Sequence, residues 1–175
     1  MIAMQVAVGA AAAWWSKLQP RPPDRPGDRA ALARLRRCAT VAEAMQDPAT
    51  MELFRLVQAT EPRDLPPVAL TAAVLAHVRD DNRLKRVARQ LGPDDPTQPE
   101  TALCKPLRFR RLMEARGPDE CLAIFRRVVG LADRALNVPD LANALLRWDD
   151  ACRQRWTFDY WNAEPFPAQT KETVA

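Results

Sequence analysis

The chain has 175 residues, which suffices for one domain, or two small ones, with a sizeable core. Only five glycines occur among many alanines and leucines, so a glycine-rich phosphate loop is excluded and an all-α fold is favoured. The net charge of +4 comes from 22 arginines and 4 lysines against 22 acids. This mild excess suits a polyanionic partner, but the codon usage of a GC-rich genome would produce it equally well.

The cysteines and the N-terminal segment indicate in which cellular compartment the protein is expected. Four cysteines stand far apart without a CxxC spacing, and there is one histidine, so neither a metal site nor a cofactor is predicted. Buried thiols in a reducing cytosol are the favoured interpretation. The apolar segment 1–15 lacks a basic start, ends in tryptophans instead of a processing site, and is too short to span a bilayer. We therefore expect a core helix there, and a cytoplasmic protein with no membrane partner.

Helices separated by prolines are predicted for the first half of the chain. The first helix runs from about Ile2 to Leu18 and ends at the proline-rich loop 20–27. Asp28 is a typical N-cap for a second helix, which places Leu32 and Leu35 on its inward face.

Two capping patterns and a further proline group predict the next three helices. Thr40 and Glu43 form a capping box, and Asp47 followed by proline is an N-cap for the segment ATMELFRLVQ. The prolines at 62–67 precede an alanine-rich helix that is predicted from about Val68 to Arg79.

The middle of the chain is its least regular part. Residues 79–90 carry five basic residues against two acids and are predicted as a helix or a mobile loop. Residues 91–100 are rich in proline and aspartate and are predicted as a loop. We therefore expect an N-terminal helical bundle over 1–90, a linker loop over 91–102, a C-terminal bundle over 103–163 and a polar tail over 164–175.

The second half begins with the most densely charged segment. Between Lys105 and Arg111, seven residues hold four positive charges and no acid, on a predicted helix over 103–115. The next helix starts at Gly117-Pro118. Its predicted core face consists of Leu122, Phe125, Val129, Ala132 and Leu136.

A long closing helix from Leu141 to Trp161 is predicted to complete this half. Steps of four, three, four and four residues place five side chains on one face of it, namely Leu141, Leu145, Trp148, Cys152 and Trp156. Aromatic residues bury the most area, so this face should form a core. We interpret its tryptophans as core residues and not as base-stacking platforms, and expect the face to hold the charged 103–115 helix in place.

No arrangement typical of catalysis is present. His77 has no paired serine or cysteine motif, which argues against a catalytic triad, and it is expected at the surface or partly packed. Asp149 and Asp150 diverge by about 100° on a helix, so they are poorly placed to share a metal ion. They are expected to pair with Arg153. We therefore predict a protein without enzymatic activity.

Arginines at helix edges remain as the candidate functional residues. Every amphipathic helix has a charged face, so a merely solvated role is one interpretation. The unbalanced charge between Lys105 and Arg111 favours a second interpretation, in which phosphate backbones are attracted. No aromatic residue is predicted to be exposed in a way that suggests base stacking, so contacts should be to the backbone, and binding should be independent of sequence and steeply dependent on salt. The candidates for nucleic-acid binding are Arg34, Arg36, Arg37, Lys105, Arg108, Arg110, Arg111, Arg126, Arg127, Arg147, Arg153 and Arg155.

Several motifs, taken in order, resemble one protein family. They are the RFRRL element at 108–112, the paired arginines at 126–127, and a closing pattern from Trp148 through Trp156 to Tyr160. Near the front, WWSKL, GDRAALARLRRC and PATMELFRLV also fit. Over about residues 14–62 and 103–161, this order resembles the CasB family, the small subunits of the type I-E CRISPR Cascade surveillance complex.

The resemblance implies an all-α protein whose two small helical bundles form one compact subunit. It implies two copies arranged head to tail against the backbone subunits of Cascade, with the large subunit, the CRISPR RNA and the target DNA as further partners. The implied role is to stabilise the R-loop and the displaced DNA strand by sequence-independent backbone binding in antiviral defence, without catalysis.

Two other functions stay open at this point. The arginine faces would equally suit acidic protein surfaces, which would make the chain a helical interaction scaffold with no direct nucleic-acid contact. A nuclease that depends on Asp149 or Asp150 is the third hypothesis, and the residues favour it least. Affinity for nucleic acid separates the first two functions, and turnover of DNA with magnesium tests the third.

Overall fold

The computed structural model describes residues 3–164, and most of them are helical. Within that range lie α1 (Met4–Leu18), α2 (Arg29–Arg37), α3 (Val41–Met45), α4 (Pro48–Leu56), α5 (Leu65–Leu75), α6 (Val87–Leu91), α7 (Pro106–Glu114), α8 (Pro118–Leu131), α9 (Val138–Leu146) and α10 (Asp150–Tyr160). Two 3-10 turns, Pro62–Asp64 and Pro99–Thr101, and two short strands, β1 (Asp80–Asp81) and β2 (Ala135–Leu136), complete the fold. The predicted all-α class is confirmed.

Side-chain caps start several helices at the positions that the sequence indicates. Asp28 accepts the N–H of Ala31 at 2.9 Å in front of α2, and the Asp47 side chain caps α4, which begins with a proline. The Thr40 hydroxyl accepts the N–H of Glu43 before α3. The predicted starts of these three helices are therefore confirmed.

Helix α5 is the centre of the core. Every residue from Val68 to Ala76 is buried, and the helix packs against α3, α4, α8 and α9. A helix that is apolar on all sides is stable only with neighbours on all sides. It starts earlier than predicted, at Leu65, because its two prolines lie in the first turn, where a missing N–H costs no hydrogen bond. It also ends earlier than predicted, at Leu75.

The prediction of a single closing helix is wrong. The chain leaves the helical conformation at Arg147, with φ −147° and ψ 74°, and α10 begins only at Asp150. The break has a local cause, because the Asp149 carboxylate accepts the N–H of Cys152 at 2.8 Å and so caps a new helix. Trp148 therefore lies in the break and not on a continuous apolar helix face.

The two closing helices contact different parts of the core. Helix α9 packs against α1 and α5, whereas α10 packs against α6. The approach to α6 is close, since a Cβ at Gly92 would lie 1.9 Å from the Tyr160 carbonyl oxygen. Tyr160 also stacks on Phe109 of α7 at 3.8 Å between ring centroids and donates its hydroxyl to the carbonyl of Cys104 at 2.6 Å. Tyr160 at the end of α10 thus contacts α7, whereas the face that was predicted to do so does not include Tyr160.

Residues 79–90 form a strand and a helix in place of the predicted single helix or mobile loop. Strand β1 pairs in parallel with β2, and the N–H of Arg79 donates to the carbonyl of Arg134 at 2.8 Å. The predicted linker 91–102 is a loop except for Leu91, which ends α6, and the second 3-10 turn. This pairing connects the middle of the chain to the segment between α8 and α9.

Helices from before and after the 91–102 loop pack against one another. Helix α5 contacts α8 and α9, and α1 contacts α9, while the buried apolar residues of both halves form one cluster. The division into two bundles stays a prediction. Within the predicted tail, residues 165–175 lie outside the described residues. Over residues 3–164, no helix is long and apolar enough to cross a membrane.

Candidate nucleic-acid interface

Two cationic side chains of α7 and one of α8 line a common groove of about 640 Å³. Arg108 and Arg111 are three residues apart and so share one side of α7, while Phe109 and Leu112 are buried on another side. Arg127 of α8 completes the cationic set. We refer to this groove, defined by Arg108, Arg111 and Arg127, as the arginine groove.

Among residues 3–164, no carboxylate lines the arginine groove. Its other lining residues are Cys104, Ile124, Val128, Gly130 and Leu131. Its three arginines are exposed, and within residues 3–164 none of them forms an ion pair. Their charges therefore sum to a positive potential that favours an anionic ligand.

The other two cations of the densely charged segment lie elsewhere. Arg110 pairs with Glu114 at 3.0 Å and lines a separate groove between α7 and α10. The Lys105 ammonium donates to the carbonyl of Glu100. The cluster predicted between Lys105 and Arg111 is thus divided, and two of its four positive charges face the arginine groove.

The paired arginines of α8 differ in their contacts. Arg126 donates from Nη1 to the carbonyl of Cys38 at 2.7 Å and from Nη2 to the carbonyl of Leu35 at 3.1 Å. It therefore ties α8 to the C-terminal end of α2, and burial lowers its pKa. Arg127 is exposed in the arginine groove. The helix turns by about 100° per residue, so adjacent side chains face different neighbours.

The three candidate arginines of α2 also have separate environments. Arg34 pairs with the buried Asp47 at 2.8 Å, and this hydrogen bond raises its pKa. Arg36 donates from Nε to the carbonyl of Ala76 at 2.6 Å and so ties α2 to the end of α5. Arg37 is exposed. Two of these three guanidinium groups thus hold elements of the fold together.

The arginines around the α9–α10 break are engaged within the protein. Arg147 pairs with Asp149 at 2.7 Å, and Arg155 pairs with Asp140 at 2.8 Å. Burial opposes the charge of Arg155, but Asp140 and Cys152 together outweigh this effect and the pKa is raised. Arg153 is held most closely. It pairs with Asp150 at 2.9 Å, donates to the carbonyl of Ala115 and lies 5.4 Å above the ring centre of Trp148.

A second cationic pocket lies between α1, α2 and the segment after α5. Arg29, Arg36 and Arg79 line about 400 Å³ together with Gln19. Burial, together with the positive charges of Arg79 and Arg134, lowers the pKa of Arg36. Sequence reasoning missed Arg29 and Arg79. The available signal was the seven-residue spacing of Arg29 and Arg36, which places both on one face of α2.

His77, two residues before Arg79, is half-buried, which agrees with the predicted surface or partly packed position. Burial, followed by the charges of Arg126, Arg36 and Arg134, lowers its pKa from 6.5 to about 4. Its Nε2 is buried and has no hydrogen-bond partner within the described part of the chain. The neutral imidazole is therefore the form that the folded protein accommodates at neutral pH.

This lowered pKa predicts that His77 destabilises the protein in acid. Unfolded histidine binds its proton near pH 6.5 and the folded residue only near pH 4, so the unfolded state binds more protons between these values. Stability is then lost as the pH falls through this window. We expect a contribution of about 2 kcal/mol to the loss between pH 7 and pH 5. Urea unfolding at both pH values measures it, and His77→Gln should show a smaller loss. An equal loss in the variant would contradict the assignment.

The two adjacent aspartates each stabilise the start of α10. Asp149 accepts the N–H of Cys152, which lowers the pKa of its carboxyl group, and Asp150 pairs with Arg153 as predicted. The expected pairing of Asp149 with Arg153 is replaced by one with Arg147. Across residues 3–164, no group of three or more His, Cys, Asp or Glu side chains could hold a metal ion. Each carboxylate is thus engaged locally.

These features define a mostly helical protein with an arginine-lined groove between two of its helices. A family model described as CRISPR-associated protein Cse2 matches residues 31–161. The chain belongs to this family, which is the CasB family of type I-E small subunits that its motifs resemble. None of the curated proteins matches the chain.

Two solved structures share the fold. A Cse2-family protein from Thermus thermophilus aligns with a TM-score of 0.64 and 22% identity, over 93% of this chain and 99% of its own. A chain in the crystal structure of E. coli Cascade bound to a PAM-containing dsDNA target aligns with a TM-score of 0.62 and 20% identity, over 91% of this chain and 95% of its own. At these identities the likeness establishes the fold.

Proposed function

We propose that this protein is the non-catalytic small subunit of a type I-E CRISPR Cascade complex in antiviral defence. In this role it binds nucleic-acid backbones without regard to sequence and so stabilises the R-loop and the displaced DNA strand. Its partners are a second copy of itself, the backbone and large subunits, the CRISPR RNA and the target DNA. Family membership supports the assignment, as does the similar chain within E. coli Cascade bound to dsDNA.

The arginine groove is the feature that most strongly supports the proposal. Three guanidinium groups converge in it without a carboxylate partner in the described structure. Guanidinium groups match the geometry of phosphate oxygens. Cations without a carboxylate partner can neutralise phosphates, and the counterions that the nucleic acid then releases favour binding. By contrast, Arg126, Arg153 and Arg155 are engaged inside the protein and contribute little free surface charge.

An exposed apolar groove between α7 and α10 supports the assembly with protein partners. Leu107, Met113 and Trp161 line about 490 Å³, and Leu107 is 61% exposed. Apolar surface of this kind is typical of protein–protein contacts. The same observation favours the second candidate function, a helical interaction scaffold with no direct nucleic-acid contact.

Salt-dependent binding tests the proposal. If the arginine groove neutralises about three phosphates, the logarithm of affinity should fall with the logarithm of salt concentration with a slope of about −2 for a single strand. Replacing Arg108, Arg111 and Arg127 together by glutamine should abolish most of that slope and leave the fold intact. Fluorescence anisotropy with a labelled oligonucleotide measures the affinities, and circular dichroism checks the fold.

Arg110→Gln is the control for position, because it removes a positive charge from α7 outside the arginine groove. Its salt slope should equal that of the unmodified protein. A protein that joins Cascade but shows no affinity for nucleic acid at low salt would refute backbone binding and establish the scaffold function.

A further inference from the structure

The arginine groove is not only cationic, because its inner surface is apolar. Ile124, Val128 and Leu131 follow the spacing of one face of α8 and line it together with Gly130. Val128 is buried, and the other two are half-buried. The exposed arginine side chains therefore surround an apolar floor, which we define as Ile124, Val128 and Leu131.

An apolar floor distinguishes between two kinds of polyanion. A duplex presents phosphates at its surface and keeps the faces of its bases stacked inside, so such a floor would contribute nothing to binding it. An unstacked nucleotide presents a charged phosphate and an apolar base face side by side. The groove volume of about 640 Å³ lies in the range of pockets that hold small organic groups.

We propose that the arginine groove takes single-stranded nucleic acid, with one unstacked base on the apolar floor and the flanking phosphates on Arg108, Arg111 and Arg127. This inference rests on the proposed function and adds to it a contact with a base face. Such a contact is independent of base identity, because every base has an apolar face.

Gly130 makes the base contact separable from the phosphate contacts. It is exposed in the groove near the end of α8, and a Cβ added there would have no heavy atom within 4 Å apart from its chain neighbours and the backbone of its own helix. A larger side chain at this position therefore extends into open space beside the floor without displacing neighbouring atoms. Gly130→Leu should obstruct the base site and leave all three arginines in place.

The test compares two strands of equal length and charge, oligothymidylate and an oligomer of abasic sites. The unmodified protein should bind oligothymidylate about fivefold more tightly, as expected for one base contact. Gly130→Leu should reduce the affinity for oligothymidylate to that for the abasic strand, and should leave the affinities for the abasic strand and for a duplex unchanged.

Gly9→Leu is the control, because Gly9 on α1 is exposed, also has open space around it and does not line the groove. Its affinities should match those of the unmodified protein, and thermal melting confirms that both variants fold. If the unmodified protein bound the two strands with equal affinity, and the salt dependence of binding still required the arginines, the base contact would be overturned and the proposed function kept. Affinity for neither strand, with an acidic protein segment captured instead, would overturn both.

Discussion

Replacing Arg126 by methionine should lower the free energy of unfolding by about 2–4 kcal/mol, whereas the same change at Arg127 should alter it by less than about 0.5 kcal/mol. The last carbonyls of a helix lack partners within it. At the end of α2, the guanidinium of Arg126 donates hydrogen bonds to two of these carbonyls, those of Leu35 and Cys38. Methionine keeps most of the aliphatic packing, so the loss reports the hydrogen bonds.

Urea unfolding of the two variants measures this difference in stability. Oligonucleotide affinity should be affected in the opposite order, more by the change at Arg127 than by the change at Arg126. Arg127→Met should bind single strands more weakly, because it removes a charge from the arginine groove. Arg126→Met should keep its affinity under conditions in which it remains folded. Equal stability of the two variants would show that the contact between α8 and α2 contributes nothing measurable to the fold.

The contrast between these neighbours shows what helical periodicity leaves undetermined. The pattern places Arg126 and Arg127 off the apolar face of α8, and both are off it. It does not reveal which of them meets another element, because the partners of Arg126 lie about 90 residues earlier in the chain. The same holds for Arg155 and Asp140, which lie on different helices. Charge density therefore indicated the arginine groove, while tertiary contacts decided which arginines take part in it.

Local signals predicted the helices better than their lengths. Caps at Asp28, Thr40 and Asp47 gave correct starts, since they depend on hydrogen bonds within a few residues. The break before α10 was missed because a regular apolar spacing outweighed Asp149, which has the side chain of an N-cap. The pairing of β1 with β2 joins residues 55 positions apart and has two residues in each strand, so no sequence pattern indicates it.

Trp156→Ala should lower the free energy of unfolding by about 3–5 kcal/mol, because it leaves a large cavity in a buried aromatic cluster. Trp156 is fully buried on α10 and meets Phe125 of α8 and Trp148 edge to face, at 5.7 and 5.2 Å between ring centroids. Phe125 and Trp148 also meet edge to face at 5.0 Å. The three rings thus connect α8, the α9–α10 break and α10, so the loss of one ring affects three elements.

Two further variants make the result specific to packing. Phe158→Ala removes an aromatic ring from the same helix where it is 47% exposed, and should cost less than about 1 kcal/mol. Trp156→Phe retains a ring and removes an Nε1–H that is buried without a partner in the described structure, so it should cost less than about 1.5 kcal/mol. Chemical denaturation measures all three. If Trp156→Ala cost no more than Phe158→Ala, the aromatic cluster would not be what holds α8, and with it Arg127, in position.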